Sequence, residues 1–135
     1  MIIPSLLFLL LVVSYFSYWS GRGMNGFYIS KPMMISHRGA TKHFPENTLE
    51  AFTAAEELGF EGVELDVIAS NDGVLYCSHN YQLEQETSSS GYIHDKPSSV
   101  LDNIKTGFYS HHDNQKNIPR LGDVFDKISS NIRLN

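Results

Sequence analysis

Between Ser36 and Phe52 the chain reads SHRGATKHFPENTLEAF, in which the pair His37 and Arg38 stands nine residues before Glu46 and Asn47. Further on, Glu64 and Asp66 stand two apart in GVELDV, and His79 closes VLYCSH. Two histidines can divide the work of general base and general acid near neutral pH. A guanidinium can hold phosphate oxygens through a bidentate fork. Two carboxylates at i and i+2 share one face of a strand and offer hard oxygens to one Mg2+ or Ca2+. Such an ion screens phosphate charge and lowers the pKa of a bound hydroxyl. Each piece alone is explained as well by a solvated surface, but together they suit cleavage of a phosphodiester. The remaining histidines, His43, His94, His111 and His112, sit in loop text and receive no catalytic role.

These residues need elements to hold them. MMIS, Met33 to Ser36, reads as a short buried strand feeding the His37-Arg38-Gly39 loop. Asn47 is a candidate N-cap with Glu50 three residues on, and Gly59 a candidate C-cap, so a helix is expected over 48–58 with Leu49, Phe52, Ala55 and Leu58 towards one face. GVELDVIAS, Gly62 to Ser70, alternates as a single strand, and Asn71-Asp72-Gly73 signals a hairpin turn into VLYCSH. The connection is too short for a parallel crossover. A turn centred between Asp72 and Gly73 places Asp66 opposite His79 and Glu64 near Tyr81. QLEQETSSSGYIHDKPSS reads as loop and SVLDNIKTG as a short helix. In IPRLGDVFDKISS, Leu121, Val124, Phe125 and Ile128 form a helical stripe with Arg120 and Asp123 outward, and NIRLN begins another strand. Strand ends therefore carry the candidate residues to one rim, as in a parallel barrel.

The 135 residues suit one small domain, and 41% hydrophobic with 19% charged residues reads as globular. A formal net charge of −5, with no cluster of Lys and Arg, argues against a nucleic-acid partner. One cysteine, Cys77, is expected to be a small apolar strand residue. Ile2 to Trp19 is uncharged and mostly aliphatic, with Tyr15, Tyr18 and Trp19 at its far end. It reads as a membrane span, with a cleaved signal sequence and a secreted product as the rival reading. Arg22 and Lys31 follow it, which favours a cytoplasmic C-terminal part. The expected organisation is an anchor or signal over 1–21, a linker over 22–32 and a folded domain over 33–135.

HRGATKHFPENTLEAFTAAEELGFEGVELDV, followed by NDGVLYCSHN and IPRLGDVFD, resembles the glycerophosphodiester phosphodiesterase family. The shared pattern is H-R-G, P-E-N-T, a helix of small residues, E-x-D-V, a D-G turn, a second His and I-P-x-L. The resemblance implies the N-terminal part of an eight-stranded (β/α) TIM barrel of the phosphatidylinositol-phospholipase-C-like type, here preceded by one transmembrane helix. It implies His37 as general base, His79 as general acid, Arg38 on the phosphate, and Glu64 and Asp66 on one divalent cation, Mg2+ or Ca2+. Glu46 and Asn47 would support these groups and cap the helix. The implied reaction is hydrolysis of glycerophosphodiesters to glycerol 3-phosphate and an alcohol. A lysophospholipid substrate, or an inactive membrane-tethered fragment that only binds or assembles, are the alternatives. The sequence departs from the pattern at Asn80, where the family has Asp, and at QETSSSG, where it has Arg-Thr-Thr-like text. A third metal-binding Glu and about five more strands would fall beyond Asn135.

Overall fold

The computed structural model describes residues 2–18, 32–129 and 132–135. The chain divides into two compact units, 1–32 and 33–135. Apart from Pro32, the linker expected over 22–32 lies outside the described residues.

In the first unit a single helix, α1 (Ile2–Tyr18), carries no charged residue. Its leucines from Leu7 to Leu11 and its rings Phe8, Tyr15 and Phe16 are exposed. Seventeen residues rise only about 26 Å, against roughly 30 Å of hydrocarbon core. Among the described residues no helix is long and apolar enough to cross a membrane. The spanning helix expected from Ile2 to Trp19 is therefore not seen as such.

The second unit is built on three parallel strands in the order β1-β2-β7: β1 (Ile35–His37), β2 (Gly62–Glu64) and β7 (Arg133–Leu134). Between β1 and β2 runs α2 (Leu49–Glu57). Parallel neighbours joined through a helix form an arc of the expected barrel type. Thr48, and not Asn47, caps α2: its Oγ1 accepts from Ala51 N at 3.3 Å and donates to Pro45 O at 2.7 Å. Asn47 is diverted by contacts elsewhere. Gly59 takes the left-handed conformation, φ 84°, that ends the helix. Ala51, Phe52 and Ala55 are buried while Leu58 is exposed. Burying Phe52 alone contributes about 1.5–3 kcal/mol. The small alanines let the loop after β1 come close: a Cβ added to Gly39, at φ 87°, would lie 2.7 Å from the Ala51 carbonyl carbon.

The run from Gly62 to Ser70 is two strands and not one. β2 belongs to the parallel sheet, whereas β3 (Val67–Ala69) pairs antiparallel with β4 (Leu75–Cys77). Leu65 and Asp66 form the join, where Asp66 N donates to the Asn47 side chain at 3.1 Å and not to a ladder partner. The hairpin register also differs by one from the expected pairing: Val67 faces Cys77 and Ile68 faces Tyr76. Ser70 N donates to Val74 O at 2.8 Å, enclosing a three-residue loop with Gly73 at φ 82°. An odd loop length moves every partner by one place.

Leu83–Gln85 and Ile93–Asp95 are short 3-10 turns in text that reads as loop, and Leu83 and Ile93 are buried. Two helices follow, α3 (Ser98–Leu101) and α4 (Leu121–Lys127), and a small pair, β5 (Lys105–Thr106) with β6 (Lys116–Asn117), lies between them. Val124 on α4 and Ile128 just after it are buried but Phe125 is exposed, because the stripe is wider than the surface it covers. Arg120 lies outward, its side chain 42% exposed, but it is not free. Its Nε and Nη2 donate to the two Asp102 oxygens at 2.8 and 2.6 Å, and Asp102 also accepts from the Tyr76 hydroxyl at 2.6 Å. Two apolar clusters result. One, including Phe52, Ala55, Val63, Cys77 and Val124, joins the sheet to α2 and α4. The other, including Ile68, Tyr76, Leu83, Ile93 and Leu101, lies under the hairpin.

Candidate active site

The carboxyl ends of β1 and β2 meet by register. His37 and Glu64 are Cα partners across the parallel pair, with His37 Nε2 3.8 Å from Glu64 Oε2. His37 is mostly exposed, whereas the Arg38 side chain is 17% exposed. Arg38 adopts a left-handed backbone, φ 55°, uncommon for a residue with a Cβ. Its N–H then reaches both Glu64 O at 2.9 Å and Glu64 Oε2 at 3.3 Å.

The Arg38 guanidinium is held by carboxylates. Nη1 donates to Glu46 Oε2 at 3.0 Å. Nε lies 3.0 Å from Asp66 Oδ2, close enough for an ion pair but not aligned to donate, so this buried N–H lacks a hydrogen bond. The expected free fork is thus partly occupied, and Nη2 keeps no protein partner among the described residues. Asn47 completes the cluster, buried and also left-handed at φ 56°. Its N–H donates to Arg38 O at 3.1 Å, its Nδ2 donates to Asp66 Oδ2 at 3.1 Å, and its Oδ1 accepts from Asp66 N at 3.1 Å. These bonds remove Asn47 from the capping role expected of it.

His79 leaves β4 one place out of the expected register. Ser78, not His79, sits across from Asp66, donating its N–H to Asp66 O at 3.0 Å. The His79 ring is exposed, with Nδ1 3.2 Å from Asn80 Oδ1. It nevertheless shares a cleft with Glu46, Asn47, Ser78 and Gln82, and Glu46 links that cleft to Arg38. All seven residues singled out in the sequence therefore belong to one region. What sequence reasoning missed is the support behind β4: the Tyr76–Asp102–Arg120 network, and the Cys77 N–H donating to Pro119 O at 2.9 Å. The I-P-R-L text was the available signal, since it supplies both Pro119 and Arg120. Cys77 is buried behind the site, and burial pushes its thiol up to about 12, with Asp123 and Asp66 adding to the shift.

The fit to a divalent cation can be judged from the oxygens. Glu64 Oε1 and Asp66 Oδ1 make no hydrogen bond among the described residues, and both side chains are 28% exposed. Two hard carboxylate oxygens suit Mg2+ or Ca2+ as part of a shell that water and phosphate complete. Among the described residues no group of three or more His, Cys, Asp and Glu side chains is placed to hold an ion. The donors fit in type and supply part of the set.

Comparison with known proteins gives this geometry a context. The chain is 35% identical over 99 residues to a glycerophosphodiester phosphodiesterase of Caldanaerobacter subterraneus subsp. tengcongensis, covering 73% of this chain and 41% of that protein. A crystal structure of a glycerophosphodiester phosphodiesterase from Agrobacterium tumefaciens superposes with a TM-score of 0.72 at 31% identity, over 77% of this chain and 46% of the other. An Oleispira antarctica phosphodiesterase, solved with the product sn-glycerol-3-phosphate, superposes with a TM-score of 0.71 at 33% identity, over 77% and 43%. The fold of the second unit is thus that of the TIM-barrel-like phosphodiesterases, and the chain spans about two-fifths of the curated relative's length. Residues 37–135 match the Glycerophosphoryl diester phosphodiesterase family, and the chain belongs to it.

Proposed function

We propose that this chain contributes the phosphate-binding half of a metal-dependent glycerophosphodiester phosphodiesterase. The observation that carries the reading is the meeting of His37, Glu64 and Asp66 around Arg38 at the carboxyl ends of adjacent parallel strands, in a chain of this family. His37, exposed beside Glu64, takes the proton of the glycerol 2-hydroxyl as its oxygen forms a bond to phosphorus. The phosphorus–oxygen bond to the alcohol breaks, and His79 delivers a proton to the departing oxygen. Water then opens the cyclic phosphate with the two roles reversed, leaving glycerol 3-phosphate. Arg38 Nη2 holds a phosphate oxygen while Glu46 and Asp66 fix the guanidinium plane. Glu64 and Asp66 would hold the divalent cation, which supplies charge screening and activates the attacking hydroxyl.

The test is release of glycerol 3-phosphate from glycerophosphocholine by protein carrying this chain, beside its His37→Ala and His79→Ala variants. Each substitution is expected to slow turnover about 10²-fold or more. Near wild-type turnover by either variant would sink the assignment.

The uncharged α1, with its leucines and rings exposed, supports a second element of the reading: residues 2–19 lodge in a lipid bilayer and keep the domain near lipid-derived substrates, lysophospholipids included. Membranes carrying the protein and washed with alkaline carbonate are expected to retain it. Release into the wash would refute the anchor.

A further inference from the structure

We infer that the loop after His79 carries an aromatic shelf, formed by Tyr81, Tyr92 and His94, that receives a quaternary ammonium on the departing alcohol and so selects glycerophosphodiesters with a cationic headgroup. The inference deepens the proposed reaction and rests on the reading of His79 as the group that protonates the departing oxygen. The group attached to that oxygen then lies on the His79 side of the phosphate. The residues next along the chain from His79 are Asn80, Tyr81 and Gln82, and the catalytic steps use none of them.

The two limbs of this loop are fastened to each other. The Leu83 N–H donates to Gly91 O at 2.9 Å, the Ile93 N–H donates to Tyr81 O at 3.0 Å, and Gln82 and Tyr92 form an antiparallel bridge. Leu83 and Ile93 are buried and root the limbs in the apolar cluster beneath the hairpin. On this anchored loop three rings gather. The His94 centroid lies 5.3 Å from that of Tyr92 and 6.2 Å from that of Tyr81, yet Tyr81 is 60% and Tyr92 42% exposed. Gln82 connects the rings to the reacting cleft, since it lines that cleft with His79 and its Nε2 donates to the Tyr92 hydroxyl at 3.1 Å.

The negative face of an aromatic ring attracts a cation, and recognition of quaternary ammonium ions is a recurrent use of such ring clusters. The surrounding charge favours the same sign. From Asn80 to Lys96 the carboxylates of Glu84, Glu86 and Asp95 stand against Lys96 alone. Asp95 Oδ1 is 3.7 Å from His94 Nε2, at the shelf itself. A neutral headgroup of the same shape would gain from neither the ring faces nor the carboxylates.

The probes that isolate charge from shape are glycerophosphocholine and its carbon isostere, in which C(CH3)3 replaces N(CH3)3+. The full 135-residue chain, in maltoside micelles with EDTA to prevent turnover, is titrated with each and followed by NMR. The unsubstituted chain is expected to bind glycerophosphocholine about fivefold more tightly than the isostere, the order of cation–π attraction at exposed rings. In Tyr81→Leu/Tyr92→Leu, which keeps apolar bulk without ring faces, that ratio is expected to fall to about one. Phe125→Leu removes a comparably exposed ring from α4, and its ratio is expected to stay unchanged. Equal or tighter binding of the isostere, binding of neither probe, an unaltered ratio in the double variant, or the same fall in Phe125→Leu would each overturn the inference. Arg38→Gln separates the two levels. Loss of the phosphate contact is expected to weaken both probes alike, at least about tenfold. Undiminished binding would remove the phosphate assignment, whereas the ratio between the probes reports on the headgroup alone.

Discussion

Asp72 shows how much a single exposed side chain can tie together. At the tip of the hairpin it accepts the Ser70 hydroxyl at 2.6 Å, the Ser98 hydroxyl at 2.7 Å and the Ser98 N–H at 2.9 and 3.1 Å. The Ser70 and Ser98 hydroxyls hold its pKa down, from 3.8 to about 2. A carboxyl with a depressed folded pKa stabilises the fold above its unfolded pKa, and that contribution is lost as pH falls through the folded value. Asp72→Asn is therefore expected to melt below the unsubstituted protein at neutral pH. The gap in Tm should narrow between pH about 4 and about 2, measured by circular dichroism. A gap that persists unchanged at pH 2 would mean that shape, and not charge, carries the effect. Asn71-Asp72-Gly73 announces a turn in the sequence, but nothing in it shows Asp72 reaching Ser98. Asn47 is the converse case. Its type and place suited a helix cap, yet Thr48, one residue on, offers a hydroxyl oxygen that accepts in its place and frees Asn47 for Asp66. Local propensity allowed both, and a contact nineteen residues away decided.

At the scale of elements, β1, α2, the hairpin and α4 were all legible, because their apolar spacing and turn residues are local signals. Their joins were not. The apolar alternation Val63-Leu65-Val67 runs straight across the join and lapses only at Val67-Ile68-Ala69, so it does not mark the change of partner at Leu65 and Asp66. Hairpin register failed for a related reason: a two-residue and a three-residue loop can both carry Asn-Asp-Gly, and the difference lies in backbone angles at Gly73. The candidate site remained legible despite that slip. Its residues are fixed at the ends of strands, where a register error of one displaces His79 from Asp66 but not from the rim. The Tyr76–Asp102–Arg120 network escaped notice because its members come from three separate segments.

For the molecule as a whole, the two apolar clusters are joined by one strand. β4 sends Tyr76 into the cluster beneath the hairpin and Cys77 into the cluster between sheet and helices, as alternation along a strand requires. Loosening either cluster therefore loosens the strand that leads to His79. Cys77 is the sole thiol in the sequence, fully buried, with its ionisation suppressed by that burial. It can react with an aromatic disulfide reagent only in molecules whose β4 has come open. If that strand opens only when the whole domain does, labelling should run at least about 10³-fold slower than for a free thiol, and should track the unfolding equilibrium as urea is added. Faster labelling, independent of urea, would reveal partial opening below the threshold of global unfolding. The lone sulfhydryl is thus a built-in clock for the strand beside the proposed chemistry, readable by absorbance in the unmodified protein.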